Sequence, residues 1–162
     1  MLISRKQGRG DGMIVRPYQA EDIDDIVQLF YDTVHTINAR DYTQQQLDVW
    51  ATGEVDRAGW NESFLSHTTA VALVNNRIAG FGDMDANGYL DRLYVHKDFQ
   101  RIGIASAICQ WLEDKIRSNQ YVTHASITAR PFFEAIGYIV IKQQQVERQG
   151  VFMTNFVMEK VR

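Results

Sequence analysis

The sequence predicts an α/β domain: a mixed, mostly antiparallel sheet of about seven strands with helices on both faces. Three observations predict it. A single strand near the N-terminus is followed by an amphipathic helical stripe. Three short strands joined by tight turns fill the middle of the chain. A long helix, one strand, a short helix and a closing hairpin complete it. At 162 residues the chain makes one domain, and 45% hydrophobic against 23% charged residues excludes a disordered polymer.

Met13 to Tyr18 reads as the first strand. Ile23, Ile26, Val27, Phe30, Tyr31 and Val34 then recur with helical period, and Glu21, Asp22, Asp24 and Asp25 place negative charge where a helix dipole favours it. Thr43 to Ala51 reads as a short helix capped by Thr43, and Glu54 to Leu65 as a further helix around Trp60, Phe64 and Leu65. The texture then changes to strands over Thr69–Val74, Arg77–Met84 and Tyr89–Val95. Asn75-Asn76 and Ala86-Asn87-Gly88 form the turns between them. A loop, His96 to Ile102, leads into a helix over Gly103–Arg117. Tyr121–Ser126 is a strand, Ala129–Ile136 a short helix ended by Gly137, and Tyr138–Glu147 pairs with Val151–Met158 around Arg148-Gln149-Gly150.

Composition excludes several classes of function. One cysteine, Cys109, excludes a disulfide framework and a cysteine-rich zinc site, and points to a reducing, cytoplasmic setting. A net charge of −3 makes duplex nucleic acid a poor partner, because phosphate contacts supply most of that affinity. No stretch approaches the roughly 20 apolar residues a membrane span needs. Residues 1–12 lack the apolar run of a secretory signal and read as a flexible tail before a single domain over 13–162. No spacing of His, Asp and Glu suggests a metal site.

The chemistry concentrates between Leu90 and Ile116. A strand, Leu90 to Val95, enters a polar loop that ends in Gln100-Arg101-Ile102-Gly103-Ile104-Ala105, where the long helix begins. Free backbone N–H groups and the dipole of that helix make its start an anion site. Gly103 and Ala105 let a bulky anion approach the main chain, and Arg101 adds a full positive charge. The lysine of a Walker A loop is absent, as is a dinucleotide glycine pattern after any strand.

The pattern Gln/Arg-x-x-Gly-x-Gly/Ala after an apolar-Tyr-Val strand end resembles the acetyl-CoA motif of the GNAT superfamily of N-acetyltransferases. A second stretch, Ser126-Ile127-Thr128-Ala129-Arg130-Pro131-Phe132-Phe133-Glu134-Ala135-Ile136-Gly137-Tyr138, is similar to that superfamily's later motif. The resemblance spans about Met13 to Lys160 and extends to one bacterial subgroup. It implies two parallel strands splayed at the sheet centre, with acetyl-CoA as co-substrate between them. It assigns Leu93, Tyr94 and Val95 to the pantetheine arm, and Gln100, Arg101, Ile102, Gly103, Ile104 and Ala105 to the pyrophosphate. Ser126, Phe132 and Phe133 would lie along the arm. Transfer of the acetyl group to a primary amine of a small molecule or protein is the implied activity; a non-catalytic acyl-CoA sensor is the alternative.

An amine with a pKa of about 10.4 needs deprotonation before attack, and the resemblance points to a carboxylate on the central strand, Asp91, as the candidate base. The backbone N–H of Val95 is the candidate oxyanion donor. Many relatives protonate the leaving thiolate with a tyrosine in the later helix. Here that position is Phe133, which has no proton to give. Tyr31, His35, Asp41, Tyr42 and Trp50 are the candidate acceptor contacts, their aromatic rings suited to an amine or its cation. The closing hairpin offers an edge strand on which a second copy would form a homodimer.

Overall fold

The computed structural model describes residues 3–4 and 12–162. The expected tail over residues 1–12 therefore lies largely outside the described residues. Ile3–Ser4 (β1) pairs antiparallel with Ile14 and Val15 at one edge of the sheet, a strand beyond the seven predicted.

The remaining elements follow the predicted order with small shifts at their ends. They are β2 (Met13–Pro17), α1 (Ile23–Thr36), α2 (Gln44–Trp50), α3 (Arg57–Ser66), β3 (Thr68–Val74), β4 (Arg77–Met84) and β5 (Tyr89–Val95). Then come α4 (Ile104–Lys115), β6 (Gln120–Ser126), α5 (Arg130–Ala135), β7 (Ile139–Arg148) and β8 (Val151–Val161). One-turn helices over Ala20–Asp22 and Asn38–Arg40 flank α1. Local chemistry sets the boundaries. Asp56 accepts from Gly59 N at 3.1 Å and starts α3 three residues later than the sequence predicts. Thr43 and Gln46 cap α2 reciprocally. Asn75 and Asn76 both take positive φ, as a two-residue hairpin turn requires.

The sheet order is β1-β2-β3-β4-β5-β6-β8-β7, antiparallel throughout except β5–β6. Side chains alternate across β3, so Ala70 and Ala72 face one core while Val71 faces the other. The first core holds α4 and α5 (Ile104, Ile108, Leu112, Phe133); the second holds α1, α2 and α3 (Ile26, Phe30, Leu47, Phe64). Gly80 and Gly82 lie under α4. A Cβ on Gly80 would stand 2.8 Å from Ile104 Cγ2, and one on Gly82 3.0 Å from Ile108 Cγ2. Their missing side chains let α4 sit directly on β4. Among the described residues no helix is long and apolar enough to cross a membrane.

Candidate active site

The parallel strands β5 and β6 share only two register pairs, Tyr89↔Val122 and Leu90↔Thr123. Thr123 Oγ1 donates to Leu90 O at 2.9 Å and clasps this closed end. Beyond it the strands part, while β6 stays paired with β8 along its full length, from Gln120↔Val161 to Ser126↔Asn155. A bulge accompanies the parting. Asp83 pairs with Arg92 but Met84 with Leu90, so Asp91 is the extra residue. The bulge inverts the alternation of side chains, which is why Leu90 and Leu93 pack on the same core despite an odd spacing.

The hydrogen-bond phase of β5 decides which amides face the gap. His96 N donates to Ala79 O at 2.8 Å. Antiparallel alternation then gives Tyr94 and Arg92 to β4 and turns Leu93 and Val95 toward the absent neighbour. The Val95 carbonyl is already taken, by Thr33 Oγ1 at 2.9 Å and Gln100 Nε2 at 2.8 Å. Among the described residues, both polar groups of Leu93 and the N–H of Val95 are left without a strand partner.

The start of α4 completes the frame. Arg101 and Gly103 take φ of +62° and +89°, and no side chain caps the helix. Ala107 N makes the bond to Gly103 O, so the amides of Ile104, Ala105 and Ser106 point outward. Alternating left-handed residues of this kind build a concave array of N–H groups suited to an anion. Nothing lies within 4 Å of where a Gly103 Cβ would stand. The pocket there is open.

A cavity of about 680 Å³ joins the helix start to the gap. Of the predicted cofactor contacts, Leu93, Tyr94, Val95, Gln100, Arg101, Gly103, Ile104, Ala105, Ser126, Phe132 and Phe133 line it. Ile102 stands outside the lining, 38% exposed. The Gln100 Nε2 is spent bracing the loop, donating to Val95 O at 2.8 Å and His96 O at 3.3 Å. Ser126 Oγ accepts from Ala129 N at 3.0 Å, which leaves its own hydrogen for a ligand. Phe133 is buried against Phe132 and Tyr138. The Tyr138 hydroxyl, pushed up by burial, is not in the cavity lining.

Of the predicted acceptor contacts only Trp50 lines the cavity. Tyr31 stacks on His35 at 4.3 Å, and His35 Nε2 meets Ala51 O at 2.8 Å. Tyr42 is buried, donating to Thr154 O at 2.7 Å and accepting from Ile127 N at 2.9 Å. Asp41 accepts from Thr128 Oγ1 at 2.8 Å. The structure places these four around the cavity and outside its lining. Thr33, Asn38, Arg40 and His124 line the cavity in their place, and no motif marks them. The Tyr94 side chain also points to this lobe. Its hydroxyl accepts from Trp50 Nε1 at 3.1 Å, and burial pushes its pKa up to about 12.

Asp91 lines the cavity at the bulge. Burial, and then the neighbouring Asp83, hold its carboxyl above the usual carboxylate range, while Arg92 pulls the other way. Asp83 is fully buried. It accepts from Arg92 Nε at 3.0 Å and Nη2 at 2.7 Å, and meets His67 Nδ1 at 2.7 Å. His67, Asp83 and Asp91 come within 4.8 Å of one another, but the Arg92 guanidinium already supplies the positive charge that a cation would bring there.

A sheet split between two parallel strands, with an uncapped helix start beside the split, defines the acetyltransferase fold that the motifs suggested. Residues 38–160 match the model of the acetyltransferase (GNAT) domain family. The uncharacterized N-acetyltransferase YafP of Escherichia coli is 36% identical over 145 residues, 89% of this chain and 93% of the relative. A crystal structure from Rhodopseudomonas palustris, described as a GCN5-related N-acetyltransferase, superposes with a TM-score of 0.88 at 24% identity. It covers 94% of this chain and 97% of its own. The PaiA N-acetyltransferase of Thermoplasma acidophilum, solved in complex with coenzyme A, gives 0.77 at 13% identity and covers 93% and 99%. The chain belongs to the GNAT acetyltransferase family.

Proposed function

We propose that this protein transfers an acetyl group from acetyl-CoA to a primary amine of a small molecule or protein, by direct attack on the thioester. The observation that carries this reading is the two-pair contact of β5 with β6, followed by divergence beside the α4 start. The residues fit the co-substrate. The outward amides of Ile104 to Ser106, the open space at Gly103 and the Arg101 charge suit a pyrophosphate; the free polar groups of Leu93 suit an amide of a pantetheine arm, and the Val95 N–H lies further along the same edge. When bound, acetyl-CoA supplies an activated acyl carbon and a thiol leaving group.

The chain's own groups do the rest. Asp91, at the bulge, takes the proton of the incoming ammonium through bridging water. Its raised pKa moves it toward the amine's, which shrinks the unfavourable transfer. The Val95 N–H, fixed by a strand and not spent on β4, is aimed at negative charge growing on the acyl oxygen. Phe133 excludes water and gives no proton. A thiol with pKa near 8.5 leaves tolerably well without one.

Incubation with acetyl-CoA and a broad amine panel, following free thiol, tests the reading. Amine-dependent release is expected, and none above background across the panel contradicts it. A second reading, a non-catalytic acyl-CoA sensor, is favoured by one observation: the buried phenylalanine at 133. Tight acyl-CoA binding without turnover, and no gain from Phe133→Tyr, would select it.

A further inference from the structure

We infer that His67 is a positioning residue for Asp91: one proton on its imidazole sets how readily the neighbouring carboxylate ionises. The inference rests on the transfer reading above and concerns the control of that site by pH. It starts from a cluster beside the cavity that the reaction itself does not use. Asp83 of β4 is fully buried, and its oxygens accept from Arg92 Nε at 3.0 Å and Nη2 at 2.7 Å. Arg92 Nη2 also donates to Ser63 Oγ at 2.6 Å and stands 3.6 Å from Asp91 Oδ2. The guanidinium lies over the Phe64 and Trp60 rings, at 4.5 and 5.1 Å. One negative and one positive charge are thereby fixed in place. His67 follows α3, its backbone N–H donating to Ser63 O at 3.0 Å, and its Nδ1 stands 2.7 Å from Asp83 Oδ2.

An ionised carboxylate only accepts, so Nδ1 carries a hydrogen in either charge state of the ring. The proton that comes and goes is the one on Nε2. The His67 side chain is 24% exposed, which gives that proton a route to water. Histidine is the side chain that ordinarily changes charge between pH 5 and 8. With the imidazole neutral, Asp83, Asp91 and Arg92 sum to one negative charge; with the imidazolium, the four groups sum to zero. His67, Asp83 and Asp91 each place an atom within 4.8 Å of the others, close enough for their charges to couple. The imidazolium therefore favours the Asp91 carboxylate, whereas burial and Asp83 disfavour it. The Asp91 side chain is 39% exposed, and water screens the coupling to about 0.5–1 pH unit, or about 3- to 10-fold in the amount of ionised base at acid pH. The other titratable or charged groups around Asp91 are Asp85 after β4, Tyr89, Arg92 and Tyr94 of β5, and His124, which lines the same cavity from β6.

Two measurements test the inference. Coupling is reciprocal, so the His67 imidazole, followed by NMR apart from His124, should titrate about 0.5–1 pH unit lower in Asp91→Asn than in the wild type. Equal midpoints overturn the inference, and this measurement needs no substrate and no change at His67. The second is kcat/KM against pH, read as thiol release with acetyl-CoA and the fastest amine of the panel. His67→Asn keeps a donor near the Nδ1 position and cannot become charged. It should move the acid limb to higher pH by about 0.5–1 unit, and His67→Lys, charged throughout, should not. A limb that stays in place in His67→Asn while activity falls evenly at every pH assigns the residue to structure alone and overturns the inference. So does a limb that moves up equally in both variants. Unequal midpoints without thiol release at any pH leave the coupling standing and remove acetyl transfer. Amine-dependent release with equal midpoints and an unmoved limb does the reverse.

Discussion

Asp91 is where the chemistry is most exposed to test at the level of single residues. Its carboxyl is raised by burial first and by Asp83 second. The acid limb of kcat/KM should therefore lie above the range of an ordinary carboxylate. Asp91→Asn should lower kcat/KM by about 10²- to 10⁴-fold and flatten that limb; a limb that persists in the variant would reassign the base. The sign for stability is the opposite of a salt-bridged acid. A folded-state pKa above the unfolded one means the charged form is disfavoured by folding. The cost is present above the folded pKa and vanishes below the unfolded one. Asp91→Asn should thus leave thermal stability at pH 7 unchanged or slightly higher, and a marked fall would contradict this. Asp83 behaves differently. It is fully buried and holds Arg92 by two bonds, so Asp83→Ala strands a guanidinium and should cost about 3–5 kcal/mol in chemical denaturation. Asp91 was legible in the sequence from its place on the strand before the glycine loop. That Asn38 and Arg40 line the cavity was not, because they belong to a one-turn helix that no motif marks.

The relation between α4 and the sheet controls the anion site at the level of elements. The sequence placed Gly80 and Gly82 inside a strand without a reason for them. The reason is α4, whose Ile104 and Ile108 occupy the space their side chains would need. Gly80→Val should destabilise the fold by about 1–3 kcal/mol by overpacking and weaken CoA binding, since Ile104 opens the helix whose start makes the site. Unchanged CoA affinity would separate the seating of α4 from the site. Gly103→Glu tests the loop itself. It adds bulk and negative charge in open space at a left-handed residue, so it should abolish CoA binding, read by calorimetry, with only a modest fall in Tm. The glycine loop was readable because it depends on local sequence. The bracing roles of Tyr42 and Asp41 were not, because their partners lie 112 and 87 residues away.

The whole molecule is a sheet that has been opened in one place. Helix periodicity, turn residues and strand alternation were enough to order every strand and α-helix after residue 12, though not the one-turn helices, with end shifts of up to three residues where caps such as Asp56 decide. The opening itself leaves no periodic trace. Its position came from motif resemblance, and its cause is visible only in register: β6 follows β8 over seven pairs and β5 over two. Two cores on opposite faces keep the halves of the sheet in place around it. Residue-resolved amide hydrogen exchange, with and without CoA, tests this account most directly. It predicts slowed exchange on CoA addition at Leu93, Val95, Ile104, Ala105 and Ser106, with Tyr94 unchanged because its amide already bonds to β4. Protection that falls elsewhere and leaves those five amides exchanging as before would contradict it.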